Sequence, residues 1–256
     1  VTTIALGAVR LQLAAFRHSP GDLLTLLSVP LFTAMFLTIM RHAGRDDLAA
    51  YAVLAPGVIA VWQMALFISG ELVDKDRSLG TLEALLATPG PLGLVIFGRV
   101  ATVTLVSLLA IAESALVARI FFGVGIDVPH PGLFAATLAV TALAMAGTAT
   151  AMSAIFVLAR SARTFQSSLS YPFLVLGGAL VPVDLLPAWL QPLCRLVFLS
   201  WSSDLLRGCL SHQPVPDAVG RLAVIVLLGM VSLAGGLVFL RWVAQRIRTN
   251  GSVSYA

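Results

Sequence analysis

A chain of 256 residues that is 59% hydrophobic and only 11% charged is built for a solvent other than water, because soluble domains carry about 25% charged residues. Its net charge of +4 calls for no nucleic acid, since arginines facing anionic lipid account for it. The apolar runs do not alternate with polar residues, which excludes a β-barrel.

Residues 2–18 are too short and too charged to span a bilayer. Leu6, Val9, Leu13 and Phe16 fall on one helical stripe with Arg10 and Arg17 at its edge, the pattern of an interfacial helix whose arginines reach for headgroups. No basic stretch directly precedes the first apolar run near Leu23, so a cleavable signal is not expected.

Five windows then contain no Asp, Glu, Lys or Arg: Leu23–Met40, Leu48–Gly70, Pro131–Ala159, Thr164–Val183 and Leu222–Leu240. A sixth, Val100–Val117, is interrupted only by Glu113. At about 1.5 Å per residue each can cross a hydrocarbon core of roughly 30 Å, the shorter ones with help from flanking residues. Lipid offers the backbone no hydrogen bonds, so the spans are helices. Six spans place both termini on one side, together with Lys75, Arg77, Arg99, Arg160 and Arg163. The opposite side holds Arg41, Arg45, Arg119, Arg195, Arg207 and Arg221, offset by acids such as Asp46, Asp47 and Asp127. The positive-inside rule then puts both termini in the cytoplasm.

Between spans two and three stands DKDRSLGTLEALLATPGP, Asp74 to Pro91, which includes the only lysine. Ser78 can cap a short helix over Leu79–Ala87, and Thr88-Pro89-Gly90-Pro91 ends it. Leu79, Leu82 and Leu86 share one face, and Asp76, Gly80, Glu83 and Ala87 another. A helix of this length is unstable alone in water. The leucines must therefore dock on the bundle, and the other face awaits a partner. A solvated hinge is the alternative for the charges from Glu71 to Arg77.

A carboxylate such as Glu113 facing lipid costs about 3 kcal/mol or more. It therefore faces protein or a wet cavity, either to contact a substrate or cation or to tie spans together. Small residues, among them Ala144, Gly147 and Ala151 in span four and Gly177, Gly178 and Ala179 in span five, permit close helix approach. Pro172 and Pro182 bracket the glycine pair, which is either a bend or a packing site. The segment 184–212 is too apolar for a solvated loop, yet Pro187, Pro192, Arg195 and Asp204 preclude a seventh span. It is expected to form a re-entrant hairpin of two short amphipathic helices, with Trp189 and Trp201 at the interface. Cys194 and Cys209 either bridge there or stay as two buried thiols. Neither has metal-ligand or catalytic neighbours. With Lys75 the sole lysine, no phosphate-binding Gly-x-x-x-x-Gly-Lys-Ser/Thr loop exists, so any ATP chemistry belongs to another polypeptide.

The charged cluster followed by Gly80-Thr81-Leu82-Glu83-Ala84-Leu85-Leu86-Ala87-Thr88-Pro89 resembles the signature of type-two ABC exporter permeases, the drug and polysaccharide export family of the daunorubicin-resistance type. Gly177-Gly178, Pro182, Leu186-Pro187-Ala188-Trp189-Leu190 and Asp204-Leu205-Leu206-Arg207 resemble its fifth span and outer hairpin. Ser78-Leu79, two extra residues before Gly80, are a departure from the pattern.

The resemblance implies an all-α integral membrane protein, with residues 1–256 forming a single permease domain. It would have six transmembrane helices, the interfacial helix at 2–18, a cytoplasmic coupling helix at 72–88 and the outer hairpin at 184–212. It implies a non-catalytic subunit of the bacterial inner membrane that pairs as a homo- or heterodimer. A separate ATP-binding subunit would hold ATP and magnesium, leaving no cofactor in this chain. Glu71, Asp74, Asp76, Arg77, Gly80, Thr81, Leu82 and Glu83 would meet that subunit, while Glu113, Gly177 and Gly178 would line the translocation path. The implied cargo is a lipophilic drug, antibiotic or lipid-like compound, with polysaccharide or glycolipid as the alternative. A proton-coupled secondary transporter would need more intramembrane ionisable groups than Glu113, and a purely structural or sensory role leaves the capped helix unexplained.

Overall fold

A computed structural model of the protein describes residues 24–44, 48–78, 92–158 and 162–250. All regular structure among them is helical: α1 (Leu24–His42), α2 (Ala49–Ser78), α3 (Leu92–Ser107), α4 (Leu109–Phe122), α5 (Pro131–Leu158), α6 (Ala162–Leu176), α7 (Gln191–Cys194), α8 (Phe198–Cys209) and α9 (Ala218–Asn250). The expected interfacial helix at 2–18 and the signature from Gly80 to Pro89 lie outside the described residues. Four stretches, Ala49–Glu71, Gly93–Phe122, Pro131–Phe156 and Ala218–Val243, are long and apolar enough to cross a membrane. This is an all-α integral membrane protein.

Helix α2 forms the centre of the bundle and touches α1, α3, α4, α5 and α6. Its Trp62 ring is fully buried and stacks on Phe173 of α6, centroids 4.1 Å apart and planes 7° from parallel. Small residues set the closest backbone approaches. A Cβ on Gly229 of α9 would come within 2.7 Å of Ala144 of α5, and one on Gly236 within 2.5 Å of Ala151. The small-residue face of span four thus finds its partner in the last helix. The far side of α9 exposes Leu227, Met230, Val231 and Val238, a surface suited to lipid rather than water.

Three expected boundaries move. The third span is longer than Val100–Val117 and is interrupted at Leu108, between α3 and α4. Just before the break, Thr104 donates its hydroxyl to the Val100 carbonyl (2.6 Å) and Ser107 to that of Thr104 (2.8 Å), and such side-chain back-bonding bends helices. The fifth span, expected over Thr164–Val183, ends at Leu176 because Gly178 turns left-handed at φ 65°. At 15 residues it rises only about 22 Å. Helix α2 runs past the expected end at Gly70 through Asp74, Lys75, Asp76 and Arg77 as far as Ser78, and the expected helix over Leu79–Ala87 lies outside the described residues. No Gly or Pro interrupts Glu71–Ser78, and most of its residues favour helix.

The loops expected to share one side do gather at one end. Arg41 donates to the Phe122 carbonyl, His212 lies 3.2 Å from Asp127, and Arg207 of α8 sits over the Tyr51 ring. At the other end Gly93 of α3 packs against Leu237 and Leu240 of α9. Between α6 and α9 the chain makes one 3-10 turn at Val183–Leu185, the single turn of α7, then α8. This is the expected pair of short helices, with a shorter first member.

Candidate functional site

Helices α2 and α6 lie side by side along a seam that is pinned at the end nearer Ser78. There Gln166, only 3% exposed, donates its amide to the carbonyls of Leu66 (2.9 Å) and Phe67 (3.1 Å). The Leu66 carbonyl also accepts the Ser69 hydroxyl at 2.7 Å, so there Gln166 joins an oxygen that already serves α2, whereas the Phe67 carbonyl has a lone pair left after its intrahelical bond. Gly70 makes the contact possible, because a Cβ there would overlap the Gln166 amide nitrogen.

Beside this seam α1 helps to line a partly open cavity of about 350 Å³. Val29, Phe32 and Phe36 come from α1, Pro56, Ile59, Ala60 and Phe67 from α2, Tyr171 and Leu174 from α6, with Leu180 beyond. Ser28, Gln63 and the Tyr171 hydroxyl are its polar points, and among the described residues no charged side chain lines it. Each of the three wall helices carries an internal proline, Pro30, Pro56 and Pro172. Proline removes a backbone hydrogen bond and kinks a helix.

At the far end of α6 the hairpin grips the backbone where the helix stops. Ser203 donates to the Gly177 carbonyl at 3.0 Å and the Arg207 guanidinium to that of Gly178. Arg207 also lies 4.4 Å above the Tyr51 ring and 3.6 Å from Asp204, which pairs with Arg195 at 2.8 Å. Burial draws the Arg207 pKa down, opposed by Tyr51, Asp204 and Asp184. Gly177 serves close packing, since a Cβ would come within 2.5 Å of the Leu199 side chain, whereas Gly178 serves the turn. The pair is therefore both a packing site and a bend. Cys194 and Cys209 are free and buried. Burial raises both thiol pKa values, against lowering by Arg195 at Cys194 and by a hydrogen bond to Thr137 at Cys209.

Glu113 stands apart from the cavity. It is half-buried on α4, on a face with the exposed Leu109, Leu116 and Ile120. The tie between spans is made by its neighbour. Ser114 donates to the Val53 carbonyl at 2.6 Å and meets the Thr33 hydroxyl at 2.7 Å, joining α4 to α2 and α1.

Residues 4–210 match the sequence profile of the family described as ABC-2 type transporter. The chain belongs to the ABC-2 type transporter family. It is also similar to Nodulation protein J of Neorhizobium galegae, with 28% identity over 226 residues covering 84% of each chain. In this ABC-2 transporter chain, Glu71 is exposed at the Ser78 end of α2, with Asp74, Asp76 and Arg77 on the same helix. Gly80, Thr81, Leu82 and Glu83 lie outside the described residues. Sequence reasoning passed over Gln166, Trp62, Phe173, Thr33 and Ser114. The one available signal was Gln166, an amide within an otherwise weakly polar window.

Proposed function

We propose that this ABC-2 transporter chain is the permease subunit of an ATP-driven exporter. It moves a lipophilic compound outward along α1, α2 and α6. The observation carrying this reading is the uncharged, aromatic-lined cavity between three proline-interrupted helices. Such walls take up apolar cargo without desolvating a charge, and their kinks offer places to flex.

A second permease subunit completes the path, and a separate ATP-binding subunit supplies ATP and magnesium chemistry. It docks on Glu71 and on the segment 72–88 through Asp74, Asp76, Arg77, Gly80, Thr81, Leu82 and Glu83. The six-span topology of the bacterial inner membrane, with both termini cytoplasmic, sets that segment on the nucleotide side. Glu113 stands apart from the cavity and Gly177 and Gly178 lie beside rather than in its lining, so their contribution is to shape the helices around the path. A polysaccharide or glycolipid is the second cargo class, because Phe32, Phe36, Phe67 and Tyr171 place four aromatic rings in the lining, and sugars also pack on such rings.

The test is reconstitution with an ATP-binding subunit of the ABC class from the same genome. ATP-dependent extrusion of a lipophilic dye from vesicles should fall in Phe67→Ala. Substrate-stimulated hydrolysis should fall in Glu83→Lys and Arg77→Glu, although the permease stays folded. Unchanged assembly and hydrolysis in both charge reversals would refute the docking assignment, and extrusion indifferent to ATP would refute the exporter.

A further inference from the structure

We propose that Gln166, seated on Gly70, is the joint through which movement of the Ser78 end of α2 is passed to α6. This inference rests on the reading that an ATP-binding subunit engages that end of α2. Helix α2 is continuous from Ala49 to Ser78, so a load applied beyond Glu71 travels along it as along a rod. Just before Glu71 on the same helix stand Leu66, Phe67 and Gly70, the residues that hold Gln166. From Gln166 to Leu176 the helix rises about 15 Å and then stops at the two carbonyls held by Ser203 and Arg207.

Helix α6 is thus gripped by α2 at one end and by the hairpin at the other. Between the grips it carries Tyr171 and Leu174 on the cavity wall and Pro172, where its ladder is broken. Pulling on the Gln166 end therefore moves the wall.

Packing alone does not call for this arrangement. A leucine at 166 would fill the seam without burying an amide, whose desolvation is unfavourable unless it is hydrogen-bonded. The side chain bonds backbone rather than another side chain, so the tie survives rotamer changes in its surroundings. Further along the seam Ser170 and Trp62 are buried, and their polar atoms have no partner among the described residues. The two Gln166 bonds are accordingly directional where those buried groups are not. Gln166 is a positioning residue, and Gly70 is the space it occupies.

The experiment uses the full chain in nanodiscs with its ATP-binding subunit, on a Cys194→Ala, Cys209→Ala background. Leu180→Cys on the cavity wall is the reporter for an impermeant maleimide. Trapping the nucleotide with vanadate is expected to change the labelling rate severalfold in this background. In Gln166→Ala, in Gly70→Ala and in their double variant, assembly and basal hydrolysis should persist while the change is lost to the same degree. That shared, non-additive loss marks one joint. A nucleotide-dependent change retained in the variants would overturn the proposal. So would variants in which hydrolysis is lost together with the change, since that is the mark of a merely structural residue. Should Gln166→Ala fail to accumulate, Gln166→Met keeps the length of the side chain but donates no hydrogen bond, and a retained change there overturns the proposal equally. A wild-type chain that binds no ATP-binding subunit would instead overturn the exporter reading itself.

Discussion

Trp62 offers the sharpest separation of packing from polar satisfaction, because its ring is stacked on Phe173 while its N–H has no partner among the described residues. Trp62→Ala removes the largest fully buried side chain. Core Trp-to-Ala changes cost about 3–5 kcal/mol. The lower end applies here, because unfolded helices stay in lipid and the transfer part of that cost is muted. The lost stack accounts for roughly 0.5–1.5 kcal/mol of it.

Trp62→Phe keeps a ring against Phe173 and deletes a buried donor whose desolvation costs about 1–3 kcal/mol. The smaller ring leaves a void costing about 24 cal/mol per Å³. These two effects oppose each other, so the variant should lie within about 1 kcal/mol of wild type. The free, buried Cys194 and Cys209 supply the assay, since a thiol-reactive fluorophore reports their exposure as the protein is heated. At about 2–4 °C per kcal/mol, Trp62→Ala should lower the midpoint by roughly 6–12 °C, and Trp62→Phe should scarcely move it. A phenylalanine variant as damaged as the alanine variant would refute this reasoning, because the indole N–H would then be holding something. A harmless alanine would refute the seam.

Purified under non-reducing conditions, the chain should yield both thiols free and no Cys194–Cys209 linked peptide. Because burial raises both thiol pKa values, the thiolate fraction near pH 8 is lower than for an exposed cysteine, so alkylation of the folded protein should be slow and rise on unfolding. Ser114→Ala should cost about 0.6–2 kcal/mol through loss of the α1–α2–α4 tie, read as a lower thermal midpoint, whereas Glu113→Gln should leave it unchanged; the reverse order would return the tie to Glu113. For topology, cysteines at Arg163 and Ser252 should be shielded from an impermeant reagent in intact cells and one at Asp46 should label, whereas labelling at position 163 would overturn the cytoplasmic assignment.

The sequence by itself determined the solvent and therefore the class of structure. Uncharged windows of helix-spanning length have one solution in lipid, which is why α2, α5 and α9 appear where Leu48–Gly70, Pro131–Ala159 and Leu222–Leu240 foretold them. The glycine pair at 177–178 and the broken segment after it were legible for a similar reason, since backbone geometry and proline act locally. Where a helix bends was less legible. Thr104 and Ser107 bond backwards just before the break in the third span, but Thr148 and Thr150 do so inside an uninterrupted α5, so the bond alone does not mark the break.

The tertiary structure alone decided which faces meet. In water a stripe of leucines announces the core, but lipid is as apolar as leucine, so hydropathy does not distinguish the buried Leu66 from the exposed Leu227. Contact is settled instead by steric fit and by isolated polar pairs: Gly70 under Gln166, Gly229 against Ala144, Ser114 on Val53 and Thr33. Each pairing joins residues far apart in the chain, and one serine among many gives no sign of its partner until the helices are side by side.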